Sequence, residues 1–579
     1  MKTVLKYYKK YVPYIIMIIL FLFGQAMCEL TLPAYMSDII DEGIVKGDMP
    51  YIWRTGLIMI GISMVTMICA VCGSFIASRV AAKSSRDIRH ALFNKVTNFS
   101  PAELEEFSTA SLITRSTNDV QTVQQTTVML LRMAIFAPLM GIGSVVRALG
   151  TSVELSWTVG LALLAIVCIM TAAFFLVLPK FKILQKKLDK LNLIMKERLS
   201  GMLVIRAFTT EKSEEERFDD ANWDLTKLNL FVNKAMSFMM PSLMFVMNAV
   251  SVLIVWAGAH LIEADKLMIG DMLAYLQYAM HVIMSFLFVT MMFIMIPRAA
   301  VSAQRIGAVL DVEASIEDPE NPETLSEAKG LVEFRNVSFA YPDAEEKTLE
   351  SISFTAKPGQ TTAIIGGTGS GKSSLIKLIP RFFDVTEGEI LLDGTDIRNI
   401  TQHELREHIG YIPQQGVLFS GTIASNLQYG KADADEAEMT EAAQVAQAMT
   451  FIEEKPDRFN ESVSQGGTSV SGGQKQRLSI ARALVKKPDI YIFDDSFSAL
   501  DFKTDKALRS ALKEKVGDST MIIVAQRINT IMDADQILVL DEGRLAGKGT
   551  HEELMQSCSV YREIALSQLS EEELERGRR

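Results

Sequence analysis

The chain has 579 residues, a formal net charge of −11 and a hydrophobic share of 49%, with a mean hydropathy of +0.20. That length exceeds one ordinary domain, and the apolar residues crowd into long blocks before about residue 298, which excludes a single globular core. The acidic balance argues against a nucleic-acid partner, and Cys28, Cys69, Cys72, Cys168 and Cys558 lack metal-ligand or disulfide spacing.

The chain opens on a basic, aromatic stretch, "MKTVLKYYKKYVPY", followed by an apolar run. A signal peptide shares that start, but no small-residue cleavage pattern follows and more apolar runs do. An interfacial elbow helix leading into a first span fits better. A spanning helix needs roughly 20 mostly apolar residues. Six stretches meet this, at about 14–34, 55–78, 127–149, 157–179, 236–260 and 271–297. Lys and Arg set the orientation. They cluster before the first span (Lys2, Lys6, Lys9, Lys10), after the second (Arg79, Lys83, Arg86, Arg89, Lys95) and after the fourth (Lys180, Lys182, Lys186, Lys187, Lys190). The alternate loops, "SDIIDEGIVKGD", "TSVE" and "IEADK", are short or acidic. Both termini are therefore expected in the cytoplasm.

Two inside segments, about 79–126 and 180–235, are long and helix-forming rather than linker-like. The spans are expected to continue through them as helices beyond the bilayer. Each segment holds a break where a short helix could cross the tip, at "NFSPAELEEF" and "ERLSGMLVIRAF". Ordinary surface loops would read the same way. Glu29, Arg132 and His281 are ionisable residues inside spans and are candidates for a substrate cavity. Arg132 could equally snorkel or pair, and His281 could be a satisfied interior residue. The last two spans are dense in Met, a residue of adaptable binding walls and, more often, of plain packing.

Residues 311–330, "DVEASIEDPENPETLSEAKG", have the composition of a linker. They divide an expected membrane domain, 1–310, from a domain of alternating strand and helix patterns, 331–579, read as α/β. In the second domain "GGTGSGKS" fits the phosphate-loop pattern after an apolar strand and before a helix. Gly366, Gly367, Thr368, Gly369, Ser370, Gly371, Lys372, Ser373 and Ser374 are thus the candidate ATP-binding run. Lys372 should reach the β/γ-phosphates and Ser373 should bind Mg²⁺. About 120 residues on, "IYIFDD" delivers Asp494 at a strand end, where its carboxylate can hold Mg²⁺ through water.

Between these motifs stands "VSGGQKQR", Val470 to Arg477. It resembles the LSGGQ signature of the ATP-binding cassette (ABC) family, and the likeness extends over the whole chain as six spans followed by a cassette, the plan of an exporter half-transporter. The resemblance implies an α-helical six-span domain with long cytoplasmic extensions, then an α/β P-loop nucleotide-binding domain. It implies ATP and Mg²⁺ as cofactors. It places Tyr341 against adenine, Gln414 of "IPQQGVLF" on Mg²⁺ in the Q-loop, and Asp501 of "SALD" in the D-loop. Val470, Ser471, Gly472, Gly473 and Gln474 would serve ATP held by a partner cassette in a head-to-tail dimer.

The chain departs from the family at its catalytic positions. Where the family has a Glu that polarises the attacking water, this chain has Asp495; where it has a His, this chain has Gln526. Gln465 also replaces a usual Glu before the signature. A shorter side chain withdraws the carboxylate by about a bond length, and a misplacement of about 1 Å can cost on the order of 10²-fold in rate. Gln526 can hydrogen-bond to a phosphate or the D-loop but cannot become a cation. The binding residues are retained and the catalytic ones impaired. This pattern implies a heterodimer whose partner half-transporter carries the Glu and His, with a slow homodimer as the alternative. The family further implies a multi-pass protein of the bacterial plasma membrane, cassette inside, exporting hydrophobic, often cationic, small molecules. A lipid or lipopeptide flippase, or a nucleotide-gated regulator that moves nothing, are the other readings.

Overall fold

The computed structural model describes residues 2–325, 328–342 and 344–569. The chain forms two compact units, Met1–Thr97 with Thr109–Val312, and Asn98–Ser108 with Glu313–Arg579.

Among the described residues of the first unit, six helices are long and apolar enough to cross a membrane. They contain Val12–Asp38, Met49–Thr97, Val120–Thr151, Ser156–Ser200, Glu211–Glu263 and Ile269–Leu310. Helix is the conformation that pairs every backbone polar group within the segment, as hydrocarbon requires. The second helix has 49 residues. At about 1.5 Å per residue it is roughly 75 Å long, more than twice a hydrocarbon core of about 30 Å. Pro33, Pro138, Pro179, Pro241 and Pro297 lie inside these helices, where neighbours can satisfy the freed backbone groups.

A short helical turn, Lys9–Tyr11, precedes the first long helix. Tyr11 is buried, and its hydroxyl donates to Asp87 of the second helix at 2.8 Å. Asp87 also pairs with Lys10 and Arg86, so one carboxylate anchors the start of the membrane domain. The first helix packs on the second, the third on the sixth, and the fourth on the fifth. An apolar cluster that includes Leu30, Met140, Ile166, Ile254, Tyr275 and Ile283 joins the first, third, fourth, fifth and sixth helices. Among the described residues, this cluster reaches Met170 on the fourth helix and Met239 on the fifth. Beyond it the two helices form an arm, tied by Lys187 to Asp224 (2.6 Å) and Arg217 to Glu197 (2.8 Å). The short helix Met202–Ala207 caps the arm. Its surroundings are apolar and bare: Leu203 is 83% exposed and Phe208 74%.

The second unit is built on a six-stranded sheet. Its spatial order is Arg544–Gly549, Gln536–Asp541, Thr361–Gly366, Thr520–Val524, Ile490–Asp494, Ile409–Ile412. All neighbours run parallel except the first pair. Parallel strands are covered on both faces, so they read as continuous apolar runs. Alternate residues feed two cores. Ala363, Ile365, Tyr491, Phe493, Ile523 and Val539 point into one, against helices that include Gly472–Lys486 and Phe502–Lys515. Ile364, Ile490, Ile492, Ile522, Val524 and Leu538 point into the other. The second core is closed by an antiparallel sheet containing Val332–Phe339, Leu349–Ala356 and Glu387–Leu392.

The short helix Pro101–Phe107 belongs to this second unit, although in sequence it lies between the second and third membrane helices. Ser100 caps it, with Glu103 answering in a capping box. Glu103 Oε2 accepts from Ser100 N–H (2.6 Å) and Oε1 from Ser315 N–H (2.8 Å), while the Ser100 and Ser315 hydroxyls share a 3.0 Å bond. Burial pushes the Glu103 carboxyl up, but these hydrogen bonds outweigh it and hold the group below its ordinary value of 4.5. A depressed carboxylate stabilises above its unfolded value and loses that contribution as pH falls through the folded one. The protection of amides 101–107, measured against their intrinsic exchange rates, should therefore be full at neutral pH and be lost as pH falls through and below the ordinary carboxyl range. Glu103→Ala should produce the same loss of protection at pH 7, by about tenfold or more.

Candidate nucleotide site

The strand Thr361–Gly366 ends in the glycine-rich loop, and Lys372–Leu378 continues it as a helix. The loop's glycines have separate reasons. A Cβ on Gly366 would sit 2.1 Å from the Leu540 carbonyl, so close packing on the next strand demands glycine. Gly371 has φ +93°, and a Cβ there would meet Leu349 at 2.7 Å. Gly369 also has a positive φ, +83°, and around it and Gly367 the space is open. The result is a cradle of exposed backbone, including Thr368, at a helix N-terminus. Lys372 Nζ curls back across it, donating to the carbonyls of Gly366 (2.9 Å) and Gly367 (2.6 Å) and lying 3.4 Å from Ser370 Oγ. Burial pulls the Lys372 ammonium below its ordinary value, opposed by Asp495 and Asp494.

Ser373 Oγ donates to Asp494 Oδ1 at 3.0 Å, joining the loop to the end of the strand Ile490–Asp494. The other oxygen, Oδ2, accepts from the Tyr411 hydroxyl at 3.2 Å. Asp494 is 5% exposed and Asp495 7%. The donor set fits a hydrated divalent cation on a nucleotide: one hydroxyl and one carboxylate side by side, with the Gln414 amide nearby. Ser374 is buried behind the loop and shares a 2.9 Å hydrogen bond with the Tyr341 hydroxyl. The Tyr341 ring meets Phe339 and Phe383 edge-on.

Asp495 turns the chain with φ +47°, a left-handed conformation that costs a non-glycine residue about 1–2 kcal/mol. Its backbone is over-determined: N–H donates to Val524 (3.0 Å), and its carbonyl accepts from Ser498 Oγ (2.8 Å). Its side chain is held as firmly. Oδ2 accepts from Gln526 Nε2 at 2.8 Å and from Gln414 Nε2 at 3.3 Å. Thus Gln526 contacts the short acid itself rather than the D-loop. Gln526 is steadied in turn by Gln568, whose amide donates to the Gln526 carbonyl at 2.8 Å. Burial raises the Asp495 carboxyl above its ordinary value, with Asp494 adding to the effect and hydrogen bonds opposing it.

The remaining motif residues stand elsewhere. Ser471 caps the helix Gly472–Lys486, its hydroxyl accepting from Gln474 N–H while Gln474 Oε1 accepts from Ser471 N–H. Ser471 and Gly472 are exposed, Gly473 is half-buried, and Val470 packs under them on the core. Asp501 caps the helix Phe502–Lys515, bonding Thr504 N–H (3.0 Å) and hydroxyl (2.7 Å). In the membrane unit, Glu29 accepts from Gln25 at 3.1 Å. The buried Nδ1 of His281 has no hydrogen-bond partner among the described residues. Arg132 is exposed and forms no ion pair among the described residues. Sequence reasoning did not single out Tyr411 or Gln568, and it named Ser498 only as the first residue of "SALD". Only Tyr411 offered a signal, as a phenol in a short strand leading to Gln414.

Comparison with known proteins decides the family. Residues 15–286 match the ABC transporter transmembrane region and residues 349–498 match the ABC transporter family. An uncharacterized ABC transporter ATP-binding protein of Mycobacterium tuberculosis (strain CDC 1551 / Oshkosh) is 39% identical, covering 94% of both chains. The chain belongs to the ABC transporter family. This ABC transporter is also 39% identical to YfiB of Bacillus subtilis (strain 168), across 94% of each chain. It is 32% identical to an ATP-dependent lipid A-core flippase of Desulfotalea psychrophila (strain LSv54 / DSM 12343), over 96% of this chain and 97% of the flippase. A bacterial Atm1-family ABC exporter solved with ATP bound superposes with a TM-score of 0.79 at 25% identity, covering 97% of this chain and 99% of that one. The transporter is therefore an integral, multi-pass ABC exporter half with an ATP-binding domain.

The loop geometry gives a test of its own. Gly371→Ala forces a Cβ into Leu349 and into a left-handed backbone. It should weaken ATP binding by about tenfold or more, read by titration of a fluorescent ATP analogue.

Proposed function

We propose that this chain is one half of a heterodimeric exporter that moves hydrophobic or amphipathic compounds outward by ATP-driven alternating access, and that its own ATP site binds nucleotide but cleaves it slowly. The observation that carries this reading is the double amide clamp on Asp495. A water-polarising base must bring a carboxylate oxygen within about 2.6–3.2 Å of its water, so its reach and orientation decide its rate. Here the carboxylate is one methylene short, and one of its two oxygens is occupied by both Gln526 and Gln414. An imidazole could take up a proton during the reaction; the Gln526 amide cannot.

The binding machinery is complete by contrast. Lys372 and the loop amides would hold the β- and γ-phosphates, and the Tyr341 ring would face the adenine. Ser373, Asp494 and Gln414 would hold the Mg²⁺ that accompanies ATP and neutralises its phosphates. Ser471 and the first-turn amides of Gly472 and Gly473 are exposed at a helix N-terminus, suited to a γ-phosphate bound by the partner. Asp501 would sit at that same junction. The bare apolar tip at Leu203 and Phe208 would seat on the partner's cassette. The expected setting is the bacterial plasma membrane with the cassette and both termini in the cytoplasm, as the Lys and Arg distribution indicates.

Glu29 and His281, on the first and sixth helices, would meet the substrate, the carboxylate favouring cationic compounds. Arg132 is a weaker candidate on its exposed position. A second reading, lipid flipping, is favoured by the 32% identical relative named as a lipid A-core flippase.

The partner half-transporter should carry Glu and His where this chain has Asp495 and Gln526. In the co-expressed pair, Asp495→Gln should change ATPase less than twofold, while altering the partner's Glu should abolish it. Asp495→Glu with Gln526→His should raise turnover at least tenfold. Brisk ATP hydrolysis by the purified chain alone would overturn the heterodimer. Dye efflux in vesicles containing the pair, with Glu29→Gln losing cationic dyes selectively, separates drug export from lipid flipping.

A further inference from the structure

Tyr411 has no part in the motifs, yet its hydroxyl touches Asp494, one of the two buried carboxylates at the strand end. It lies on the strand Ile409–Ile412, the edge neighbour of Ile490–Asp494 in parallel register. Its hydroxyl donates to Asp494 Oδ2 at 3.2 Å. Its ring meets Phe382 edge-on, with centroids 5.5 Å apart and planes at 83°. Phe382 is fixed from the other side. The Arg406 guanidinium lies over its ring at 5.4 Å and bonds the carbonyls of Pro380 (3.0 Å) and Arg381 (3.1 Å). Tyr411, Phe382 and Ala102 of the short helix Pro101–Phe107 all pack on the same apolar core. The linker closes the assembly: Ser315 holds Glu103, and Arg381 donates to the Glu317 carbonyl at 3.2 Å.

We propose that Tyr411 is a positioning residue that fixes Oδ2 of Asp494 and mechanically joins the cation end of the ATP site to the seat of the helix Pro101–Phe107. The inference rests on the reading of Asp494 as a Mg²⁺-holding group. Asp494 has two oxygens and two fixed donors. With Oδ2 tied to the phenol, the carboxylate cannot rotate, and Oδ1 stays presented beside Ser373. Any shift of the carboxylate on metal loading moves the phenol, and the ring carries that shift to Phe382. Rings in edge contact transmit displacement because a packed core does not absorb it.

The test uses the purified full-length chain and a fluorescent ATP analogue, titrated in excess EDTA and then with rising Mg²⁺. Tyr411→Phe keeps the ring and removes the donor. Affinity in EDTA should match the wild type, while the affinity gained from Mg²⁺ should fall by about tenfold, the effect of losing one hydrogen bond to a charged group. In parallel, hydrogen exchange across residues 101–107 should respond to Mg²⁺ and nucleotide in the wild type and not in Tyr411→Phe. An unchanged Mg²⁺ gain, a surviving exchange response, or an equal loss of affinity in EDTA each overturns the proposal. Asp494→Asn is the separate arm. It should abolish the Mg²⁺ gain, and if it does not, the assignment of the cation site fails regardless of Tyr411.

Discussion

Two carboxylates stand side by side at the end of one buried strand, and the site is organised around making that tolerable. Asp494 and Asp495 are both almost out of solvent. Lys372 is the nearby cation, itself disfavoured by burial. Charges in such a place survive only with fixed donors. Asp494 receives two hydroxyls, from Ser373 and Tyr411. Asp495 receives two amides, from Gln414 and Gln526, on a single oxygen. The difference has consequences. Asp494 is held at both oxygens, one hydroxyl on each, so its orientation is set. Asp495 is held at one oxygen only, by two amide N–H₂ groups that can only donate to it.

The parallel sheet explains how residues so far apart in sequence converge. Gly366 and Asp494 end their strands. Gln414 stands two residues past Ile409–Ile412, and Gln526 two past Thr520–Val524. All four strands are parallel neighbours, so their carboxyl ends open on one edge. In open α/β sheets that edge is where ligands bind. The apolar faces set the register and the register sets the site: Ile412 pairs with Phe493 and Val524 with Asp494. A slip of one residue would exchange the two cores and scatter the polar groups.

What was legible in the sequence was whatever chemistry is contiguous. The glycine loop, Lys372 and Ser373 are a single run, and the run of apolar residues before Asp494 marks its strand. The six spans were legible because hydrocarbon tolerates only one open-ended backbone solution. The clamp on Asp495 was not. Its partners lie 81 and 31 residues away, and sequence could name Gln526 as odd without placing it on Asp495. The left-handed turn at Asp495 leaves no mark in composition, since the residue is not glycine. The second unit's claim on residues 98–108 was also hidden, because it depends on Glu103 finding the backbone of Ser315, 212 positions away.

The two short helices bear on how many chains make a working transporter. One, Pro101–Phe107, is tied down by hydrogen bonds within its unit. The other, Met202–Ala207, carries exposed Leu203 and Val204 at the end of a long helical arm. Exposed leucine and phenylalanine at a tip call for a covering surface. The exposed signature at Ser471 and Gly472 calls for one too. Neither feature distinguishes a twin from a different partner, since both would be satisfied by a copy of this chain. Under the proposed reading the Asp495 clamp separates them: a copy would bring a second short carboxylate tied to two amides, whereas a partner with a longer acid and an ionisable ring would complete a faster site with this chain's exposed Ser471 and Gly472. The proposal of an unlike partner therefore rests on one buried oxygen and the two amides bonded to it.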